Sequence, residues 1–185
     1  MKIYVIRHGL TELNKQKKVN GQMDEPLAPE GIKQAQATAS LIPKTVKYIY
    51  TSPLIRAKQT AEILNSKLKL SIFIEDDLSE IHMGSLAGKA WGEMENGLSL
   101  KKQHRTAKFN YLKYGGESTQ QVKNRLIKFF KSIKGKYKDN EVLIITHGGI
   151  IRFLHILNHK PLSTNIDVEH ISPYSLDLDK ILQRN

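Results

Sequence analysis

The 185-residue chain is 39% hydrophobic and 25% charged, ordinary values for one globular domain (residues 1–185) with a single sizeable core. It has no cysteine, which excludes disulfides, thiolate chemistry and a zinc ribbon and fits a reducing compartment. Its formal net charge of +11 attracts anions, so composition leaves phosphorylated metabolites, nucleic acid and acidic membrane surfaces open as partners.

The apolar start, residues 1–6, ends at Arg7 and is too short for a signal-peptide core. No apolar run approaches the roughly 20 residues that span a bilayer, so a cytoplasmic protein without membrane attachment is expected. Residues 2–6 read as a short buried strand, followed directly by Arg7-His8-Gly9. Residues 10–28 read as loop. Pro29-Glu30-Gly31 opens a helix to about Leu41, with Pro29 in its first turn. Residues 46–50 form a second strand. Ser52 is then expected as N-cap and Pro53 as first residue of a helix reaching Leu68, with Leu54, Ala57, Ala61 and Leu64 at helical spacing. Residues 70–74 read as a third strand and 78–88 as irregular. From Trp91 to Tyr114 the pattern is weak, one or two helices rich in Lys and Arg. After Gly115-Gly116, Ser118 caps a helix whose apolar face is Val122, Leu126, Phe129, Phe130, Ile133 and Tyr137. Residues 141–146 hold a buried strand, His147-Gly148-Gly149 follow, and a helix begins near Ile150. A last strand covers 174–178.

Strands alternating with helices predict an α/β fold: three layers, α/β/α, with a mostly parallel central sheet and helices on both faces. In such sheets ligands bind beyond the carboxyl ends of strands. Three polar elements fall there: Arg7-His8-Gly9, the segment Thr51 to Arg56, and Thr146-His147-Gly148-Gly149.

A neutral imidazole is a competent nucleophile toward phosphorus if its other ring nitrogen is held by an acceptor. Gly9 beside His8 is expected to let a phosphate approach the backbone. Guanidinium forks from Arg7 and Arg56 match the oxygens of a transferring phosphoryl group. His147, before a glycine pair at a helix start, is placed to donate to the same group. Each element alone has an ordinary reading: surface arginines, a loop histidine, a capped core histidine. Their shared position after strands favours chemistry. His155 and His159, four apart, lack a third ligand at convincing spacing, so no metal is expected. No P-loop or dinucleotide fingerprint is present.

The order of these pieces resembles the histidine phosphatase superfamily, in its phosphoglycerate mutase-like branch. The likeness runs over nearly the whole chain: Arg7-His8-Gly9 with Thr11 and Asn14, then Gly21, Asp24, Pro26-Leu27 and Glu30-Gly31. It continues through Ser52-Pro53-Leu54, Arg56-Ala57 and Gln59-Thr60-Ala61. Leu78, Glu80, Gly84 and Gly88, Gly115-Gly116-Glu117-Ser118 and Thr146-His147-Gly148-Gly149 complete it. The resemblance implies a phosphohistidine at His8, a clamp of Arg7, Arg56 and His147, and a further hydrogen bond from Asn14. It implies a pocket lined by the backbone around Gly21, Gln22 and Gly148, with Glu80 as proton donor. An alkoxide leaves with difficulty unless protonated, which gives such an acid its purpose. No cofactor is implied, because two arginines and a histidine supply the positive charge. Leu10, Met83, Leu86 and Ala87 depart from common family residues and leave the substrate class open.

The expected activity is a metal-independent phosphomonoesterase acting on a small phosphorylated metabolite, as a monomer or homodimer. A cofactor-dependent phosphoglycerate mutase is the alternative enzyme, although mutases of this family are usually longer. A non-catalytic phosphate or nucleic-acid binding module is the alternative from another class. No nucleic-acid recognition motif is present, and His8, Glu80 and His147 are all retained. The basic insert, about residues 89–115, carries Lys101, Lys102, His104, Arg105, Lys108 and Lys113. It reads either as a lid over the non-reacting part of the substrate or as a solvated charged face.

Overall fold

Successive residues of a strand face opposite sides of a sheet. In β1 (Lys2–Arg7), Ile3 and Val5 enter one hydrophobic cluster while Tyr4 and Ile6 enter another. All four are buried, so this strand has no solvent face and reads as a continuous apolar run. The same split recurs in β4 (Glu141–Thr146), with Val142 and Ile144 on one side and Leu143 and Ile145 on the other.

The structure is a computed structural model that describes residues 1–137, 141–158 and 173–183. The other strands are β2 (Val46–Thr51), β3 (Ser71–Ile74) and β5 (Tyr174–Asp177). The sheet runs β3-β2-β4-β1-β5, parallel except for β5, which lies antiparallel to β1. The helices are α1 (Glu12–Lys15), α2 (Pro29–Thr38), α3 (Ile55–Leu68), α4 (Gly97–Arg105), α5 (Thr119–Ile133), α6 (Gly148–Leu157) and α7 (Leu178–Leu182). Ala57, Ala61 and Leu64 of α3 pack on one sheet face. Leu126 and Phe130 of α5, Ile150 and Leu154 of α6 and Ile181 of α7 pack on the other. The predicted three-layer α/β/α architecture is therefore the observed one.

Arg7 pairs with Thr146, and Thr51 with Ile145, so β1, β2 and β4 end along one edge. His8 N–H continues the ladder to the Thr146 carbonyl (3.0 Å), and Ser52 N–H to the Ile145 carbonyl (3.0 Å). The three predicted polar elements thus emerge side by side.

Several boundaries differ from expectation. One turn of helix, α1, interrupts the expected loop, closed by reciprocal bonds between Thr11 and Asn14. The α2 helix ends at Thr38 and tightens into a 3₁₀ turn at Ala39–Leu41. Ser52 and Pro53 do not start α3: Leu54 is its N-cap, and Asp24 Oδ1 accepts the Ile55 N–H at 2.6 Å. That cap comes from a distant loop, which leaves Ser52 to other work. The α6 helix begins at Gly148 rather than near Ile150, and Leu178 belongs to α7 rather than the last strand. Gly9 also meets a packing requirement that the sequence does not show. A Cβ there would stand 2.5 Å from the Gly31 carbonyl oxygen, so this glycine lets α2 close on the loop.

Candidate active site

His8 is 2% exposed at the end of β1. Its Nδ1 lies 2.7 Å from the Gly9 carbonyl, which can only accept, so Nδ1 carries the proton. Nε2 therefore holds the lone pair, and it accepts from Arg56 Nε–H at 3.2 Å. Arg56 is fully buried at the start of α3. Its other nitrogens donate to the Met23 carbonyl (2.7 Å) and the Gly21 carbonyl (2.8 Å). Burial pushes this guanidinium down from its ordinary value, opposed by Glu80, Glu25 and Asp24. Thr60 ties the corner together: its hydroxyl accepts from Gly9 N–H (3.1 Å) and donates to the Arg56 carbonyl (2.7 Å).

His147 is the fully buried N-cap of α6, its ring centroid 5.0 Å from that of His8. Ser52 Oγ lies 2.8 Å from His147 Nε2 and accepts from Leu54 N–H at 3.3 Å. Ser52 is itself fully buried, and its hydroxyl proton needs an acceptor. Nε2 provides one, so the ring proton of His147 sits on Nδ1, which has no hydrogen-bond partner among the described residues. Burial first, then Arg56, Arg7 and Arg125, holds this imidazole well below its usual range and therefore neutral.

Arg7 lies on the cavity wall with Gly148 against it; a Cβ at Gly148 would be 3.3 Å from the guanidinium carbon. Burial pushes Arg7 down to about 10, so it remains cationic at neutral pH. Gly149 is equally constrained, since a Cβ there would meet Glu80 Oε1 at 2.5 Å. Glu80 Oε2 accepts from Gly149 N–H (3.1 Å) at the α6 N-terminus, and Oε1 accepts from Ile81 N–H (2.9 Å). The glycine pair thus admits an arginine on one side and a carboxylate on the other.

The Glu80 backbone is clamped from two sides. Its carbonyl accepts from Gln22 Nε2 (2.8 Å) and Arg125 (3.3 Å). Arg125 forms a two-point pair with Glu117 (2.9 and 3.1 Å), and Glu117 accepts from His82 N–H (2.8 Å).

Seven of the nine predicted site residues, His8, Arg7, Arg56, Glu80, Asn14, Gly21 and Gly148, line one cavity of about 600 Å³. His147 is buried and is not among the lining residues, although its ring adjoins that of His8, which is. Gln22, whose backbone was expected to line it, is not among the lining residues, and its side-chain amide donates to the Glu80 carbonyl. Asn14 keeps its place, with Nδ2 donating to Asn20 Oδ1 at 2.6 Å. Within the insert, Lys101, His104 and Arg105 reach the cavity, whereas Lys102, Lys108 and Lys113 do not. His104 donates to or accepts from the Tyr111 hydroxyl (3.0 Å), and burial, aided by Arg152 and Arg105, lowers it to about 4.

Residues 3–179 match the Histidine phosphatase superfamily (branch 1). The chain belongs to this superfamily. Among curated relatives it is similar to phosphoglycerate mutase-like protein 4 of Arabidopsis thaliana, 33% identical over 83% of this chain and 69% of that one. It is also similar to a metal-independent phosphoserine phosphatase of the same plant, 32% identical over 91% of this chain and 76% of the relative. Among solved histidine phosphatase-like structures, a mycobacterial glucosyl-3-phosphoglycerate phosphatase complexed with VO3 superposes with a TM-score of 0.82. That match is 25% identical and covers 95% of this chain and 90% of the other.

Sequence reasoning missed Ser52 as the partner of His147, and Arg125 with Glu117 as the clamp on Glu80. It also missed Lys17, Lys18 and Arg152 as cavity residues. Glu117 belongs to Gly115-Gly116-Glu117-Ser118, whose spacing assigns it no role, and Arg125 carries no local signal. Among the described residues no group of three or more His, Asp or Glu side chains could hold a metal, and no helix is long and apolar enough to cross a membrane. His155 is buried edge-on against Tyr174, and His159 lies outside the described residues.

Proposed function

We propose that this histidine phosphatase is a metal-independent phosphomonoesterase that hydrolyses a small phosphorylated metabolite through a phosphohistidine at His8. It acts in the cytoplasm as one domain, as a monomer or homodimer, with no nucleic-acid partner. The observation that carries the reading is the His8 ring, its proton fixed on Nδ1 by a carbonyl and its Nε2 lone pair facing a buried guanidinium.

His8 Nε2 attacks phosphorus, and the bond to the ester oxygen breaks. Arg7, Arg56 and the His147 Nδ1–H stabilise the charge on the phosphoryl oxygens, and Asn14 adds a hydrogen bond. Glu80 gives its proton to the departing alkoxide. The same carboxylate then takes a proton from water as that water attacks the phosphohistidine, which releases inorganic phosphate and restores neutral His8. The cavity has the size of a metabolite site. Relatives named phosphoserine phosphatase and glucosyl-3-phosphoglycerate phosphatase support hydrolysis.

Phosphate release across a panel of phosphorylated metabolites, with EDTA present and His8→Ala as control, tests the proposal. Turnover by His8→Ala equal to the parent's would refute it. The relative named mutase-like keeps isomerisation as a second reading. Rapid interconversion of 3-phosphoglycerate in the presence of a bisphosphoglycerate primer, without comparable phosphate release, would favour that reading.

A further inference from the structure

Beyond the phosphoryl cradle, the cavity wall carries Lys17, Lys18, Lys101, Arg105 and Arg152, and the one carboxylate lining the cavity among the described residues is Glu80. A phosphate monoester dianion is matched by Arg7 and Arg56. With Lys17, Lys18 and Lys101 alone, the wall holds more positive charge than one phosphate answers. Lys17, Lys18 and Lys101 make no ion pair with a carboxylate among the described residues. Like charges gathered around a concave surface repel one another, and an incoming anion relieves that repulsion.

The wall is built rather than draped. Lys18 bridges Ala90 in antiparallel fashion, Val19 N–H donates to the Lys89 carbonyl (3.0 Å), and Gly88 N–H donates to the Val19 carbonyl (2.8 Å). The segment bearing Lys17 and Lys18 is thereby tied to the strip that leads into Trp91 and α4. Trp91 packs on His104 of α4 (5.5 Å between centroids), and Leu100 of α4 and Tyr111 are buried in the core. Lys17 itself holds a left-handed backbone (φ 58°), a conformation that costs a non-glycine residue about 1 kcal/mol and here shapes the turn that joins the two lysines to the wall.

We propose that Lys17, Lys18 and Lys101 form a second anion subsite, so that the preferred substrate carries a second dianionic group, a phosphate, at the end remote from the ester being cleaved. This rests on the reading of the cavity as a phosphomonoesterase site. Non-hydrolysable probes keep the two claims separate. Binding of propane-, butane- and pentane-α,ω-bisphosphonates is compared calorimetrically with binding of the alkyl monophosphonates of equal length. The best bisphosphonate is expected to bind at least about tenfold more tightly, with the advantage shrinking as salt rises.

The Lys17→Gln/Lys18→Gln/Lys101→Gln variant is expected to bring the ratio close to one. Lys101→Gln alone, which leaves the α1 end intact, should lower it about threefold. Removing equal charge at Lys33, Lys44 and Lys131, exposed residues outside the cavity, should leave the ratio as it was. A parent ratio near one would overturn the subsite, as would a ratio that survives the cavity triple variant. Tighter binding of an ω-phosphonocarboxylate than of the bisphosphonate would overturn its assignment to a dianion. Failure of phosphate release in the metabolite panel would instead strike the catalytic reading and leave these affinities interpretable.

Discussion

At the floor of the cavity, Arg56 is fully buried and makes three hydrogen bonds, whereas at the outer wall Lys17, Lys18 and Lys101 meet no carboxylate among the described residues. The floor is drawn from the ends of three strands and the starts of two helices, so its groups are fixed before any ligand arrives. The wall's backbone is tied between residues 18–19 and 88–90, but no carboxylate among the described residues holds its three lysine side chains. Charge that is cross-braced and desolvated serves the reacting atoms, and its loss disturbs the fold as well. Charge on flexible stems serves affinity, and its loss leaves the fold alone.

The sharpest way to break this comparison is at His8. His8→Ala should reduce kcat by about 10⁴-fold or more while leaving a cooperative thermal transition, measured by phosphate release and by calorimetry. A reduction smaller than about tenfold would remove the nucleophile from the account. Arg56→Ala comes next. It strips donors from two carbonyls, so stability should fall by about 2–4 kcal/mol in urea unfolding, alongside a loss in kcat/KM of about 100-fold. Arg56→Lys should restore part of the stability and little of the kcat, because a lysine lacks the planar fork.

Ser52→Ala is a smaller perturbation that acts through His147. Its kcat should fall about tenfold, and the ¹⁵N shifts of His147 should show that the proton is no longer confined to Nδ1. Unchanged shifts would show that Ser52 does not set the tautomer. The last effect lies on the wall and is read in stability. His104 is held at about 4 in the fold against 6.5 when unfolded. The unfolded chain therefore binds the extra proton first as pH falls, so stability is lost progressively from pH 6.5 to about 4. His104→Gln should flatten that part of the Tm-against-pH curve. An identical slope in the variant would remove His104 as its cause.

The two regions also differ in how far they could be read from sequence. β1 and β4 were legible because burial on both faces leaves an unbroken apolar run, and α5 because Ser118 caps it and Val122, Leu126, Phe130 and Ile133 repeat along one face. Arg7, His8, Arg56 and His147 were legible because each lies at or just beyond the carboxyl end of a strand, where a doubly covered sheet opens its ligand crevice. What stayed hidden depends on pairs far apart in the chain. Asp24 caps α3 across 31 residues, Ser52 meets His147 across 95, and Arg125 reaches the Glu80 carbonyl across 45. None of these leaves a period or a spacing. The wall was half legible. Its lysines could be counted, but it takes the backbone pairing of residues 18–19 with 88–90 to bring Lys17 and Lys18 into company with α4. That bridge also alters the image of a free lid: α4 is anchored through Leu100, with Phe109 and Tyr111 buried beside it.

The account turns on whether the neutral ring of His8 takes up the phosphoryl group. Rapid alkaline quenching during turnover, followed by peptide mass spectrometry, reads this directly. The account predicts an acid-labile phosphoryl adduct on the peptide containing His8, approaching one per active site under burst conditions and absent from His8→Ala. Sustained turnover with no such adduct, or an adduct on another residue, would contradict it.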